Sequence, residues 1–413
     1  MFSQLEELFS KALGVTNPWK IKSIRFDSEN QKLDIYIDFE KGATFDYPDY
    51  LSGETSKYKA YDKIDKTWRH LNFFEHTCYL HVKVPRIKPE TGGVKMIFPK
   101  WTGAVYGFTL LFEALIIQMS KNMPVHNVAK ILRISDHKIW SVLDSYIEKA
   151  LAFSDNSNLT AIGMDETSLK RGHNYISLFV DMHEKKTIFI TEGKDSNTVA
   201  SFAEKMRETD CIVNNIKDVS CDMSPAFIKG IKENLPNAEI TFDKFHIIKK
   251  INEAVDQVRK TEAKKTTLLK GLRFAFLRNK ENLTQKQKTQ LESLSTLNLK
   301  SMRALHMREN FQEIYKADTK EDFIVLLKKW YYWATHSKLG PMKTVAKTIK
   351  THWDGVIKWK ESQINNGILE GLNAVVQAAK RKARGYKFNH LKTVTYLLTG
   401  KLQFFTINPY LPT

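Results

Sequence analysis

The chain has 413 residues, with 64 Lys+Arg against 46 Asp+Glu and a formal net charge of +18. That length implies two or three domains, and so basic a balance points away from an ordinary metabolic enzyme and either to a polyanionic partner or to a surface simply solvated by surplus lysines. Hydrophobic residues make up 42% of the chain and aromatics 11%, enough for packed cores, which excludes global disorder. Cys78, Cys211 and Cys221 lie far apart and form no CxxC pair. A disulfide scaffold and a cysteine-rich metal site are therefore not expected, and a reducing cytoplasm fits. The longest apolar run, 108–119, is broken by Glu113 and Gln118 and is shorter than the roughly 20 residues of a membrane-spanning helix. Met1 opens a polar amphipathic stretch and not a signal peptide, so no membrane partner is expected.

Four patterns follow in chain order. Between Lys20 and Pro99 the segments 24–26, 33–39 and 78–84 alternate with period two between Gly and Pro clusters, which predicts a small β-rich domain over 1–100. In 101–155 the period becomes helical, with helices expected over 110–120, 125–132 and 137–150; Pro124 opens the second and Ser135-Asp136 cap the third. The last two read as a helix-turn-helix. Ala129 allows close crossing, Ile139 and Leu143 pack the second helix back on the first, and Ser135, Asp136, His137, Lys138 and Ser141 lie toward a major groove. Over 156–260 the expected strands are 161–169, 175–182, 187–191, 219–222 and 238–242, with Arg171-Gly172-His173 between the first two. Helices are expected over 197–208, 225–234 and 245–259. A three-strand meander followed by helix, strand, helix, strand, helix is the order of an RNase H-like α/β domain. The Lys-rich stretch 261–362 shows no strand, and Trp330, Tyr331, Trp333, Trp353 and Trp359 supply its packing, so it reads as an all-helical insertion. Residues 363–413 then complete the catalytic core.

Asp165 sits mid-strand in Ile162-Gly163-Met164-Asp165-Glu166-Thr167-Ser168, where a carboxylate among apolar neighbours is costly unless paired or metal-bound. Asp222 ends the fourth expected strand. In an RNase H-like sheet those strands are adjacent, so the two carboxylates face each other, and a divalent cation relieves their repulsion. The third carboxylate is expected from a helix packed beside this edge, and Glu370 is the best placed. At 100° per residue Glu370, Asn373, Gln377, Lys380, Arg381 and Arg384 share one face, while Leu369, Leu372, Val375, Val376, Ala379 and Ala383 share the other.

Four ordered motifs carry a family resemblance. Met164-Asp165-Glu166-Thr167-Ser168 with Gly172-His173-Asn174-Tyr175 comes first, and Ser220-Cys221-Asp222-Met223-Ser224-Pro225-Ala226-Phe227 second. The run from Pro236 through Asp243-Lys244-Phe245-His246 is third, and Asn366-Gly367-Ile368-Leu369-Glu370-Gly371-Leu372-Asn373 fourth. Together they resemble the DDE transposases of the ISL-three family of bacterial insertion sequences over essentially the whole chain. The resemblance implies an RNase H-like fold, a catalytic and metal-binding triad of Asp165, Asp222 and Glu370, and two Mg2+ (or Mn2+) ions for DNA cleavage and strand transfer. Asp243 and His246, from the family's D-x-F-H motif, and Asn373 are expected near the site; Asp243 could instead cap the helix near Phe245, and His246 could be a packing residue. Terminal inverted repeats and target DNA are the implied partners. The helix-turn-helix residues Ser135, His137, Lys138 and Ser141 read the repeats, and Lys380, Arg381, Lys382 and Arg384 hold phosphates. A homodimer is expected to pair two ends, in the cytoplasm of a bacterium and associated with its nucleoid.

One departure is clear. The family's N-terminal zinc domain carries two C-P-x-C pairs, and the matching positions here are Tyr47-Pro48-Asp49-Tyr50 and Lys88-Pro89-Glu90-Thr91, with Trp68-Arg69-His70-Leu71 between them. Neither pair offers a thiolate or imidazole, so no structural zinc is expected, and His70, His76 and His81 read as plain surface residues. Two alternatives stay open: an RNase H-like structure-selective nuclease, which the insertion and the N-terminal DNA-reading modules argue against, and a domesticated non-catalytic DNA-binding regulator, which the intact triad argues against.

Overall fold

The computed structural model describes residues 4–48, 55–90, 92–105, 107–170, 174–209, 211–362, 364 and 367–412. Features expected at Asp49, Tyr50, Thr91, Arg171-Gly172-His173 and Asn365-Asn366 lie outside the described residues. Two compact units emerge: 1–154 with 379–385 and 389–413, and 155–378 with 386–388.

The first unit opens with α1 (Gln4–Leu13) and a β-rich layer. Its strands are β1 (Trp19–Asp27), β2 (Lys32–Phe39), β3 (Thr44–Pro48), β4 (Thr55–Lys59), β5 (Asp62–Phe73), β6 (His76–Ile87) and β7 (Lys95–Met96). The main sheet runs β1-β2-β6-β5 with β7 on β6, and β3-β4 form a separate hairpin. Ile21, Leu33, Ile35, Ile37, Leu80, Val82 and Val84 fill one core with Trp68. Trp68 meets Phe98 and Trp101 edge-on, and Tyr47 meets Tyr58 edge-on across the β3-β4 hairpin.

The three histidines of this layer each engage a different neighbour. His81 contacts Asp34 through Nε2 (2.6 Å) and Thr67 through Nδ1 (3.0 Å), and the His76 ring lies 4.4 Å from that of Phe26. His70 corrects its expected surface placement. Its Nδ1 bonds Thr109 Oγ1 at 2.9 Å, and burial, with Arg69 beside it, lowers the imidazole to about 4.

Next come α2 (Leu110–Asn122), α3 (Val125–Leu132) and α4 (Asp136–Ala152). Pro124 precedes α3, Arg133 closes it in the left-handed conformation (φ 54°), and Ser135 stands in extended conformation at the N-cap of α4. Val128, Ala129, Ile139 and Leu143 are buried, as the helix-turn-helix pattern requires. Glu113, expected only as an interruption of an apolar run, is fully buried. Its carboxylate accepts from the backbone N–H of Ala104 (2.9 Å) and Val105 (2.8 Å) and from the Tyr146 hydroxyl (2.7 Å).

The second unit carries β8 (Ala161–Lys170), β9 (Asn174–Asp181), β10 (Lys186–Glu192), α5 (Ser196–Arg207), β11 (Asp218–Cys221), α6 (Pro225–Asn234), β12 (Glu239–Phe242) and α7 (Lys244–Ala263). The strand order is β10-β9-β8-β11-β12, antiparallel through β8 and parallel from β8 to β12. Six helices follow: α8 (Arg273–Leu277), α9 (Gln285–Ser295), α10 (Lys300–Ile314), α11 (Lys320–His336), α12 (Gly340–Thr351) and α13 (Trp353–Ser362). They share one core with the sheet, in which Phe179, Phe202, Phe227 and Ile247 belong to the same cluster as Phe311, Phe323 and Trp330. Gly355 lets α13 lie against the edge strand β12, since a Cβ there would come within 2.5 Å of the Phe242 ring and 2.9 Å of the Ile240 carbonyl. Covering an edge strand in this way blocks its pairing with another chain.

The chain ends with α14 (Gly367–Lys382) and α15 (Phe388–Thr399). Of these C-terminal residues, 379–385 and 389–413 cluster with the first unit and 367–378 with the second. The His390 ring stacks on Trp140 at 3.8 Å, and Thr393 Oγ1 donates to Asp144 (2.6 Å). Asn408 Nδ2 donates to the Leu110 carbonyl (2.8 Å) and the Tyr146 hydroxyl (2.9 Å). No described helix is long and apolar enough to cross a membrane.

Candidate active site

The register of the parallel strands positions the acids. Asp218, Val219 and Ser220 of β11 pair with Ala161, Ile162 and Gly163 of β8. Two residues further along each strand stand Asp165 and Asp222, at matched positions and with the same side-chain parity. The strand β11 ends at Cys221, so Asp222 falls just past it, where its Oδ1 accepts from the Ser224 N–H (2.9 Å). On the next strand Phe242 pairs with Cys221, and the Asp243 N–H continues the ladder to the Cys221 carbonyl (3.0 Å). Asp165, Asp222 and Asp243 thus come from three neighbouring parallel strands, at the carboxyl edge where α/β sheets commonly bind ligands.

The helix α14 seats against β8. Gly163 makes the approach possible, since a Cβ there would lie 2.5 Å from Met182 Sδ and 3.0 Å from the Leu369 side chain. One turn beyond Leu369, Asn373 Nδ2 donates to Asp165 Oδ2 (2.5 Å). A turn later Gln377 Nε2 donates to Thr167 Oγ1 (2.6 Å) and the Ser168 carbonyl (3.2 Å). The i, i+4 spacing of Asn373 and Gln377 is the signal for this tie, yet neither contact with β8 is expected from the sequence. The expected apolar face needs correction too: Leu369 and Val376 are buried, but Val375 is 42% exposed.

Electrostatics mark Asp165. Its Oδ1 accepts from the Glu166 N–H (2.8 Å), which favours the charged form, but burial dominates and the neighbouring Asp243 and Asp222 add to it. The carboxyl is pushed up to about 6. Burial also raises Glu370, which senses the negative charge of Asp243 and, in the opposite direction, His246. Asp243 serves as the N-cap of α7, its Oδ1 accepting from the Phe245 N–H (2.8 Å) and its Oδ2 meeting His246 Nδ1 (2.8 Å). That bond raises the His246 imidazole. The capping role foreseen for Asp243 is therefore present, and His246 is hydrogen-bonded to that cap.

These groups are oxygen donors of the kind hard divalent cations take. The Asn373 Oδ1, beside Asp165, is buried without a hydrogen-bond donor among the described residues, as a group facing a bound cation's shell would be. Among the described residues, however, no three Asp, Glu, His or Cys side chains are gathered closely enough to ligate a single ion.

The basic candidates sit on α4 and at the end of α14. Ser135, His137 and Lys138 are exposed at the start of α4, with Lys138 Nζ 5.8 Å from the Phe108 ring. The Ser141 hydroxyl donates to the His137 carbonyl (3.0 Å), so it is turned to its own helix and not outward. Lys380, Arg381 and Lys382 form the last turn of α14, and Arg384 follows in the left-handed conformation (φ 58°). Residues 379–385 cluster with the first unit, while Asp165, Asp222 and Glu370 belong to the second.

Comparison with known proteins gives this arrangement a family. Residues 162–395 match the ISL3 transposase model, and residues 100–147 match the helix-turn-helix domain of transposase family ISL3. The chain is 26% identical over 328 residues to the transposase for insertion sequence element IS1001 of Bordetella parapertussis, covering 77% of this chain and 80% of that protein. It is 22% identical over 355 residues to the transposase for insertion sequence element IS1557 of Mycobacterium tuberculosis, covering 78% of each. The transposase model spans more than half of the 413 residues and includes all three acids, and on that match the chain belongs to the ISL3 family of insertion-sequence transposases.

Proposed function

We propose that the chain binds the terminal inverted repeats of its insertion sequence, cuts the DNA there and joins the freed end to target DNA. The observation that carries this is the matched placement of Asp165 and Asp222 on adjoining parallel strands, with α14 tied to Asp165 through Asn373 and presenting Glu370 one turn earlier. The strand order β10-β9-β8-β11-β12, with β8, β11 and β12 parallel, supports an RNase H-like core. The domain scheme proposed on this basis keeps 1–100, 101–155, 156–260 and 261–362 and places 367–378, with Glu370, in the catalytic core.

Asp165, Asp222 and Glu370 would hold two Mg2+ (or Mn2+) ions. When bound, such ions make water or a 3′-hydroxyl nucleophilic at neutral pH and stabilise the departing oxygen. Asn373 orients Asp165, and Gln377 fixes α14 to the end of β8. Asp243 holds the start of α7 and, through its bond to Nδ1, favours the protonated form of the His246 imidazole beside the acids. Asn373→Ala is expected to slow cleavage roughly 10–100-fold, as loss of a partner to a ligating group does, without changing DNA affinity. Parallel cleavage and gel-shift titrations read the two effects apart.

In the first unit, Ser135, His137 and Lys138 at the start of α4 are proposed to contact the repeats, and Lys380, Arg381, Lys382 and Arg384 to hold phosphates. Lys382→Ala is expected to weaken binding of all sequences similarly and reduce the salt slope by about one; His137→Ala is expected to erode preference for repeats over random DNA. Pairing two transposon ends makes a homodimer the active form. The test of the whole reading is labelled DNA carrying the element's ends, incubated with the chain and Mg2+ or Mn2+. Nicks at the repeat borders are expected; binding without cutting in either metal would favour a DNA-binding regulator instead.

A further inference from the structure

We propose that the cleft beside Glu370 receives an unstacked DNA base next to the cut, with the Phe245 ring as its platform. This rests on the DNA-cutting function above and adds a substrate contact to it. The cleft encloses about 750 Å³ among the start of α7, the end of α10, α13 and the start of α14, and both Glu370 and Asp243 line it. That volume lies within the range of small-molecule sites, about 300–1,000 Å³.

Phe245 is 54% exposed although it follows Asp243 in the first turn of α7. Core packing does not account for it, since Ile247 and Ile251 are the residues through which this part of α7 is buried. Its backbone N–H is held by Asp243, which anchors its main chain beside the acids, and its ring lies 5.9 Å from that of His246, edge to face. An aromatic face held beside reacting groups is the kind of surface on which unpaired bases stack.

The charge of the lining separates base from phosphate. Four acids, Asp243, Glu281, Glu313 and Glu370, face three lysines. Those lysines are engaged: Lys316 with Glu313 (2.8 Å), Lys360 with the Ala317 carbonyl (2.5 Å), and Lys244 over the rings of Tyr315 and Trp359. With four acids against three lysines the lining offers a phosphate no net positive charge, whereas a neutral base finds amides. Gln312 Nε2 donates to Asn279 Oδ1 (3.0 Å), a bond that uses one N–H and leaves the second Gln312 N–H, the Gln312 Oε1 and the Asn279 Nδ2 group for a ligand edge. Asn252, on the same wall, has a buried Oδ1 without a donor among the described residues.

The test uses the full chain and a duplex from the end of its element, blunt or with a short single-stranded overhang containing the fluorescent base 2-aminopurine. The overhang duplex is expected to bind roughly tenfold more tightly than the blunt one, with quenching of the probe. Phe245→Ala and Phe245→Leu, which keeps apolar bulk, are expected to lose both effects, and Phe245→Tyr to keep them, with unchanged melting curves. Quenching and overhang preference that persist in Phe245→Ala, or no preference in the native chain, overturn the proposal. The two readings fail separately. Binding without cutting by the native chain in either metal overturns the function and not the base site, because overhang preference and quenching are read from binding alone.

Discussion

Asp165→Asn is expected to lower metal-dependent DNA cleavage at least about a thousandfold, equivalent to about 4 kcal/mol of transition-state stabilisation. Asp222→Asn and Glu370→Gln are expected to do the same, because an amide cannot supply the anionic oxygen that a divalent cation needs. The same Asp165 substitution is expected to leave the metal-free fold as stable or more so. Burial and the neighbouring Asp243 and Asp222 hold the Asp165 carboxyl at about 6, above its ordinary 3.8. The folded chain therefore binds this proton more tightly than the unfolded one. Its contribution to stability is fully present below pH 3.8 and is lost as pH rises through about 6, a change of up to about 3 kcal/mol. Denaturation in EDTA between pH 4 and pH 7 is expected to show this loss in the native chain and not in Asp165→Asn. A variant that cleaves normally, or one that unfolds at neutral pH, contradicts the assignment.

Glu113→Ala is expected to destabilise the first unit by about 3–5 kcal/mol. The carboxylate terminates three donors, the N–H groups of Ala104 and Val105 and the hydroxyl of Tyr146, and Tyr146 in turn accepts from Asn408. Truncation leaves these polar groups buried without their acceptor and opens a cavity beside Tyr146, which is 1% exposed. Glu113→Gln is expected to cost less, about 1–3 kcal/mol, because the amide oxygen still accepts while its NH2 end faces a donor. Urea denaturation followed by Trp fluorescence measures both, and a change below 1 kcal/mol for Glu113→Ala would show that the network carries little of the unit's stability. DNA binding is expected to fall with it, since α2 and α4 meet through this network.

Local patterns were the legible part of the fold. The helices of the helix-turn-helix and α6 follow from start signals, Pro124 and Ser135 in extended conformation before α3 and α4 and Pro225 opening α6, and from apolar periodicity; α3 and α6 match their expected bounds. In the second unit strand bounds hold to within one residue, with Asp222 just outside β11, its carboxylate accepting from the Ser224 N–H; in the first unit 24–26 and 78–84 are only parts of β1 and β6, and β5 was not foreseen. Long-range partnerships were not legible. The assignment of 389–413 to the first unit depends on contacts such as Asn408 to Tyr146, 262 residues apart, for which no local signal exists. His70 looked like a surface residue until Thr109, 39 positions away, closed over it.

The acids were legible as residue types in strand and helix contexts, and the β8-β11 register explains why Asp165 and Asp222 stand level. The seating of α14 was less so. Helical projection separates polar from apolar residues, but it does not say that Asn373 and Gln377 turn toward β8 while Val375 turns to solvent. That orientation is set by Leu369 packing over Gly163, a contact between residues 206 positions apart in sequence.

Strand transfer tests the central claim most directly. A labelled duplex ending in the element's inverted repeat, supplied already cut with a free 3′-hydroxyl, is incubated with the full chain, Mg2+ and supercoiled plasmid. Covalent joining of the labelled strand to the plasmid is expected, lost in EDTA and in Asp165→Asn, Asp222→Asn and Glu370→Gln. A chain that binds the end and nicks DNA in Mg2+ but never joins the strand, or one whose joining survives the three substitutions, would contradict it.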